Sequence, residues 1–166
     1  MKPAPEYALA AMLIEHLSQD AELAPAVLEA PFDHADQGQN IALAAGQHDF
    51  SVAVQPLPPE LPGNKQERTG RITCRLAVLV FTTRQGVTLS APGHGTGAAL
   101  AASVAGHVLH RCMCWQPEGS GIPYTEPEVS AVEELNLSEL PDLANLTGSC
   151  ILLSKDINHK QYYSTK

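Results

Sequence analysis

Basic residues are scarce in this chain. Its 166 residues include ten Lys and Arg against eighteen Asp and Glu, which gives a formal net charge of −8. A protein that binds nucleic acid through phosphates needs a basic face, so this balance argues against general nucleic-acid binding. Among the scattered cations only Lys65, Arg68, Arg71 and Arg75 form a group. We interpret this group as a solvated strand end or a contact between subunits.

Long hydrophobic runs are also absent. No segment approaches the roughly 20 apolar residues that a membrane-spanning helix needs. The stretch Met1–Leu17 contains Glu6 and Glu15 and lacks the basic-then-apolar layout of a secretory signal. We therefore expect a cytoplasmic protein without a membrane partner. A 44% apolar and 17% charged composition suits one folded domain over residues 1–166, with residues 1–4 and about 157–166 frayed.

Sequence signatures of catalysis are missing as well. The chain has no G-x-S-x-G motif, and neither Ser90 nor Ser103 has an identifiable base nearby in sequence. The adjacent carboxylates Glu133 and Glu134 would point to opposite faces of a strand, which does not suit a glycosidase pair. We therefore expect that the protein is not an enzyme.

The glycine-rich segment Gly93–Gly97, GHGTG, lacks the features of a phosphate-binding loop. It does not have the G-x-G-x-x-G spacing of a dinucleotide site, and no Lys-Ser/Thr pair follows it as in a P-loop. Thr96 instead suits the N-cap of a helix that begins there. We expect no cofactor at this segment.

Four potential zinc ligands lie near the end of that helix: His107, His110, Cys112 and Cys114. The C-x-C spacing differs from a usual zinc knuckle, no second cluster accompanies it, and C-x-x-C is absent. We expect no metal site here, and four free thiols with Cys74 and Cys150 included. A small cytosolic enzyme or metal-binding protein built around Gly93–Cys114 remains the alternative hypothesis. The segment Phe32–Asp36 is a weaker metal candidate, for which we prefer a polar turn closing on Gly38.

The clearest structural signal is Arg71–Arg84, RITCRLAVLVFTTR. Its even positions are apolar from Ile72 to Val80, whereas its odd positions begin polar and turn apolar only from Ala77. This period of two predicts a long strand that is buried on one face along its length and on the other face only in its second half. The Val-rich end should be central in a sheet, and the Arg-rich end should project beyond the core.

Further elements follow from periodicity and turn residues. We predict helices over Pro5–Leu17 and Thr96–Met113, an extended piece at Ala26–Ala30, and strands within Ala42–Gln55, Glu128–Leu137 and Gly148–Asp156. The proline-rich stretch Pro56–Gly70 should end strand pairing and form the tip of a hairpin. The predicted fold is α+β: an antiparallel sheet of about four strands with a long β-hairpin and two helices packed on one face.

This order of elements resembles the tail-terminator proteins of long-tailed bacteriophages, including relatives in Mu-like prophages. The resemblance covers Pro5 to about Asp156 and rests on layout alone. It implies a structural tail protein without an active site, which assembles as a homo-oligomeric ring, typically a hexamer. Such a ring caps the tail tube and meets the head-side connector, so the implied partners are other copies and other phage tail or head-connector proteins. The implied location is the host cytoplasm and then the virion.

The polar half of the hairpin is the predicted subunit interface. If the Arg71 end projects beyond the helices, its exposed strands invite pairing with a neighbouring subunit. We predict that Arg68, Arg71, Thr73 and Arg75 lie in this interface. The basic residues would meet carboxylates of a neighbour, because the molecule is otherwise acidic.

Overall fold

The computed structural model describes residues 1–32, 38–61, 70–83 and 98–164. Within these ranges the helices are α1 (Pro5–Ser18), α2 (Gly38–His48), α3 (Ala98–Met113) and α4 (His159–Ser164). The strands are β1 (Phe50–Glu60), β2 (Arg71–Thr83), β3 (Glu128–Leu135) and β4 (Leu146–Asn158). A 3₁₀ turn at Ala24–Ala26 follows α1. None of the described helices is long and apolar enough to cross a membrane.

The four strands form one antiparallel sheet in the order β1-β2-β4-β3. β2 lies between β1 and β4 and pairs with β4 along its whole length, from Arg71 opposite Asn158 to Thr83 opposite Leu146. The predicted α+β class, the four-stranded antiparallel sheet and the long β1–β2 hairpin are therefore confirmed.

The two predicted helices cover one face of the sheet. Leu9, Leu13 and Leu17 of α1 and Leu100, Val104 and Val108 of α3 are buried in one cluster with the even positions of β2. The four-residue spacing on each helix places these side chains in one stripe, which is the reason both helices lie flat on the strands. This packing confirms the prediction of two helices on one face.

The opposite face carries a third helix, α2, which the sequence analysis missed. Ile41 and Ala45 of α2 pack against Ala77, Leu79 and Phe81 of β2, together with apolar residues of the segment 137–146. Only these two residues of α2 are buried. An eleven-residue helix with one short apolar row gives a weak periodic signal, so periodicity alone does not mark the stretch before β1 as helical.

β1 continues into the proline-rich segment, so the prediction that pairing stops at Pro56 is wrong. Pro56 lies opposite Leu76, and after an irregularity Glu60 lies opposite Thr73. β1 lies at one edge of the sheet, where a proline is tolerated when the position of its missing N–H faces away from the neighbouring strand. On the other side of β1, the backbone N–H groups of Leu28 and Phe32 donate hydrogen bonds to the carbonyls of Val52 and Val54. Val27 also forms a parallel bridge with Val52. These contacts confirm the predicted extended piece Ala26–Ala30 only at residues 27–28, since Ala26 ends the 3₁₀ turn and residues 29–30 form bends.

The C-terminal segment is packed, in contrast to the frayed tail expected from about residue 157. Tyr162 of α4 is only 3% exposed, and its hydroxyl donates a hydrogen bond to the Pro3 carbonyl at 2.9 Å. The Lys2 ammonium lies 4.1 Å from the centre of the Tyr162 ring and donates to the Tyr162 carbonyl. Residues 2–3 and α4 therefore hold each other in place. The polar sequence of α4 does not indicate this contact, because Tyr162 is its one buried residue.

We predict opposite effects on stability for two glycine substitutions. Gly121 has φ of +77°, and a Cβ there would lie 2.5 Å from the Tyr162 nitrogen and 2.6 Å from the Asn158 carbonyl oxygen. Gly121→Ala should therefore lower the free energy of unfolding by more than about 1 kcal/mol. Gly106 lies inside α3, where a Cβ would have nothing within 4 Å, so Gly106→Ala should raise it by up to about 1 kcal/mol.

Urea unfolding followed by circular dichroism measures both changes. Equal effects of the two substitutions would contradict the contact between residue 121 and α4.

Candidate functional site

Among the residues that the structure describes, none covers one half of the sheet face that carries α2. α2 packs on the Ala77–Phe81 half of β2, whereas the Arg71 half lines an open groove of about 1080 Å³. We call the floor of this groove the polar face, which consists of Glu60, Arg71, Thr73, Arg75, Ser154 and Asp156. The alternation predicted for β2 explains this arrangement, because its odd positions are polar only up to Arg75.

The charges of the polar face are paired within the chain. Arg71 forms an ion pair with Asp156 of β4, and Thr73 Oγ1 donates to Asp156 Oδ1 at 2.6 Å. Arg75 Nη1 donates to Glu60 Oε1 of β1 at 2.5 Å. Burial opposes ionisation of Asp156, but the hydrogen bonds from Thr73 and Arg71 outweigh it and lower the pKa of this carboxyl group. Exposed pairs of this kind contribute only about 0–1 kcal/mol each, so they order the surface more than they stabilise the fold.

Three of the four predicted interface residues lie together. Arg71, Thr73 and Arg75 share the polar face, whereas Arg68 lies outside the described residues. Within the chain Arg71 pairs with Asp156 and Arg75 with Glu60, and a contact with the carboxylates of a neighbour stays a prediction. The Arg71 end does not project alone, because β4 continues to Asn158 and pairs with β2 to its first residue.

Two exposed apolar residues are next in sequence to residues that line the groove. Leu61, just after β1, is 72% exposed, and Tyr124, in the segment before β3, is 64% exposed. The segment with Tyr124 is anchored by Lys155, which is only 6% exposed and whose ammonium donates to the carbonyl and hydroxyl oxygens of Thr125 at 2.5 Å. Burial lowers the pKa of Lys155. Sequence analysis did not identify this lysine, because it occupies an apolar-face position of a strand.

The candidate metal ligands do not converge. His107 Nε2 lies 2.9 Å from Asp20 Oδ2, and Cys112 points into the core, where burial raises the pKa of its thiol to about 12. Only His110 and Cys114 remain together, with 3.8 Å between Nε2 and Sγ. Within the described ranges no group of three or more His, Cys, Asp or Glu side chains could hold a metal ion. Gly93–Gly97 and all of Phe32–Asp36 except Phe32 lie outside the described residues.

A second polar cluster joins the end of α1 to α3. Asp20 Oδ1 accepts the backbone N–H of Glu22 and Leu23, while Asp20 Oδ2 meets His107 and lies 3.5 Å from Arg111 Nε. Burial opposes ionisation of Asp20, but the hydrogen bond from His107 and those from the backbone outweigh it and lower its pKa. His16 Nε2 donates to the Arg111 carbonyl at 2.9 Å. This cluster ties the two helices together.

The comparisons with known proteins show a likeness of fold. The chain resembles a chain from a structure described as the virion of a native gene transfer agent particle, with a TM-score of 0.52 and 14% sequence identity. The alignment covers 91% of this chain and 96% of that one. No protein-family model and no curated protein sequence matches this chain. The two chains therefore share a fold over nearly their full lengths, without close similarity in sequence.

We predict that His16→Gln removes part of the pH dependence of stability. Burial lowers the pKa of His16 in the folded protein below 6.5, although the bond to the Arg111 carbonyl partly opposes this shift. The unfolded chain therefore takes up this proton at a higher pH than the folded chain. The free energy of unfolding of the wild type should fall as pH drops below about 6.5, until the pH is below the folded-state pKa.

Gln can keep the N–H donor to Arg111 and does not titrate, so the variant should lose less stability than the wild type between about pH 7.5 and 5. Urea midpoints at several pH values measure the difference. An unchanged slope in His16→Gln would contradict the assignment.

Proposed function

We propose that this chain is a structural protein of a phage-like particle, and that it assembles as the ring that terminates the tail tube. The observation that carries the proposal is the fold shared with a chain of a gene transfer agent virion over 91% and 96% of the two chains. Because the likeness extends over nearly the full length of both chains, it is a likeness of the whole fold and not of one recurring motif. The order of elements that resembles tail-terminator proteins supports the same role.

The polar face is the proposed contact with a neighbouring subunit. A charge that an interface covers needs a partner, because an unpaired buried charge is strongly unfavourable. Arg71 and Arg75 already have carboxylate partners in their own chain, so a neighbour can cover them without leaving either charge unpaired. The exposed Leu61 and Tyr124, next in sequence to lining residues of the groove, offer apolar and aromatic contact area of the type enriched at protein interfaces.

The strand edges are less suited to this contact. The outer side of β1 is occupied at Val52 and Val54 by the backbone of residues 27–32. In the described part of the chain β3 pairs only with β4, but its register is broken around Ser130, and Glu133 and Glu134 follow. Bulges and charges of this kind discourage pairing of an edge strand with another chain. Subunits that join through a face of the sheet and a different surface of the neighbour make a head-to-tail contact, which closes into a ring when the rotation permits.

We expect the wild-type protein to form closed oligomers, and a charge reversal on the polar face to dissociate them. Arg71→Glu with Arg75→Glu breaks both ion pairs and places four carboxylates side by side, so a neighbour can no longer cover the face. Light scattering coupled to size exclusion over a range of concentrations measures the mass, and electron microscopy shows whether the oligomers are rings.

A swapped pair is the matched control. Glu60→Arg with Arg75→Glu keeps an ion pair inside the chain, so its fold should survive as judged by circular dichroism. The swap leaves no charge on the face unpaired, so this variant should assemble as the wild type does. A wild type that stays monomeric at every concentration would contradict self-assembly of the isolated protein. Normal rings in Arg71→Glu with Arg75→Glu would place the interface elsewhere.

A further inference from the structure

The last turn of α3 presents two ligand side chains that the core does not use. His110 and Cys114 are both exposed, and His110 Nε2 lies 3.8 Å from Cys114 Sγ. The Cys114 backbone N–H donates to the His110 carbonyl at 3.1 Å, so the helical spacing continues one residue past Met113. Residues four apart on a helix lie on the same side, one turn above the other. The pair is therefore arranged in advance by the backbone.

The distance between the two atoms suits a tetrahedral metal. Zinc–sulfur and zinc–nitrogen bonds of about 2.3 and 2.0–2.1 Å, set at the tetrahedral angle, separate the sulfur and nitrogen by roughly 3.6 Å. The separation of 3.8 Å in this chain needs only a small side-chain adjustment to reach that value. An imidazole nitrogen and a thiolate are also the ligand types that zinc prefers.

The other cysteines are unsuited to the same role. Cys74, Cys112 and Cys150 are buried, and burial raises the pKa of each thiol, to about 12 for Cys74 and Cys112. His107, one turn before His110, is held by Asp20. The surface of α3 therefore offers a site with two ligands, whereas zinc binds four.

We propose that His110 and Cys114 chelate Zn²⁺, and that a second copy of the chain supplies the same pair to complete a Cys₂His₂ site. Each thiol releases its proton to solvent as its sulfur binds, and the two thiolates balance the charge of the ion. The formal net charge of −8 on each chain raises the local concentration of cations. The site joins copies through the end of α3, a surface separate from the polar face, so it does not depend on the proposed ring contact.

Cobalt is the probe for this site, because tetrahedral Co²⁺ bound to thiolate has visible and charge-transfer absorption. Titration of the reduced, metal-free protein with CoCl₂ should produce both bands and saturate at one metal per two chains, and excess ZnCl₂ should abolish them. Cys114→Ser should remove the charge-transfer band. His110→Gln should weaken binding by at least about tenfold, since loss of a ligand costs more than loss of a supporting contact.

His107→Gln is the matched control, and it should bind cobalt as the wild type does. The readout is the ratio of metal to chain, so it is valid whether the protein is a monomer or a ring. Saturation at one metal per chain would overturn the bridge between copies. A charge-transfer band that persists in Cys114→Ser, or its absence in the wild type, would overturn the site itself.

Discussion

The pairing of β2 with β4 is the constraint on which the rest of the structure depends. The two strands keep one register over all thirteen positions of β2, with no bulge between Arg71 and Thr83. Because successive side chains alternate between faces, a slip of one residue would carry Arg71, Thr73 and Arg75 into the core beneath α1 and α3. The register thus decides at once which face the helices cover, where α2 can pack, and where polar groups remain outside.

Sequence periodicity was sufficient for the elements whose apolar pattern is unbroken. β2, α1 and α3 each repeat one apolar row over three or more turns or pleats, and β2 even shows where its second face becomes buried. The pattern failed where tertiary context decides the outcome. α2 buries only Ile41 and Ala45, and the extension of β1 to Glu60 through its prolines is possible only because β1 lies at the edge of the sheet.

The sequence predicts the part of the candidate site that lies on β2, but not the residues that β1 and β4 contribute. Alternation alone places Arg71, Thr73 and Arg75 on one face. Their partners Asp156 and Glu60 follow from how β4 and β1 register against β2, and the Arg71–Asp156 contact joins residues 85 positions apart. The zinc-ligand hypothesis shows the same limit. Four potential zinc ligands within eight positions suggest a single metal site. The helix, however, directs Cys112 into the core and His107 toward Asp20.

The place of β4 in the chain has a consequence for synthesis. α1 and the hairpin are made first, yet the sheet that buries their apolar surfaces lacks one of its two inner strands until β4 has left the ribosome. At about 5–20 residues per second, the 85 positions between Arg71 and Asp156 take on the order of ten seconds to translate. During that interval the edge of β2 that pairs with β4 has no partner strand. An unpaired strand edge can pair with other chains, so a chaperone on the ribosome would act on this protein at that stage.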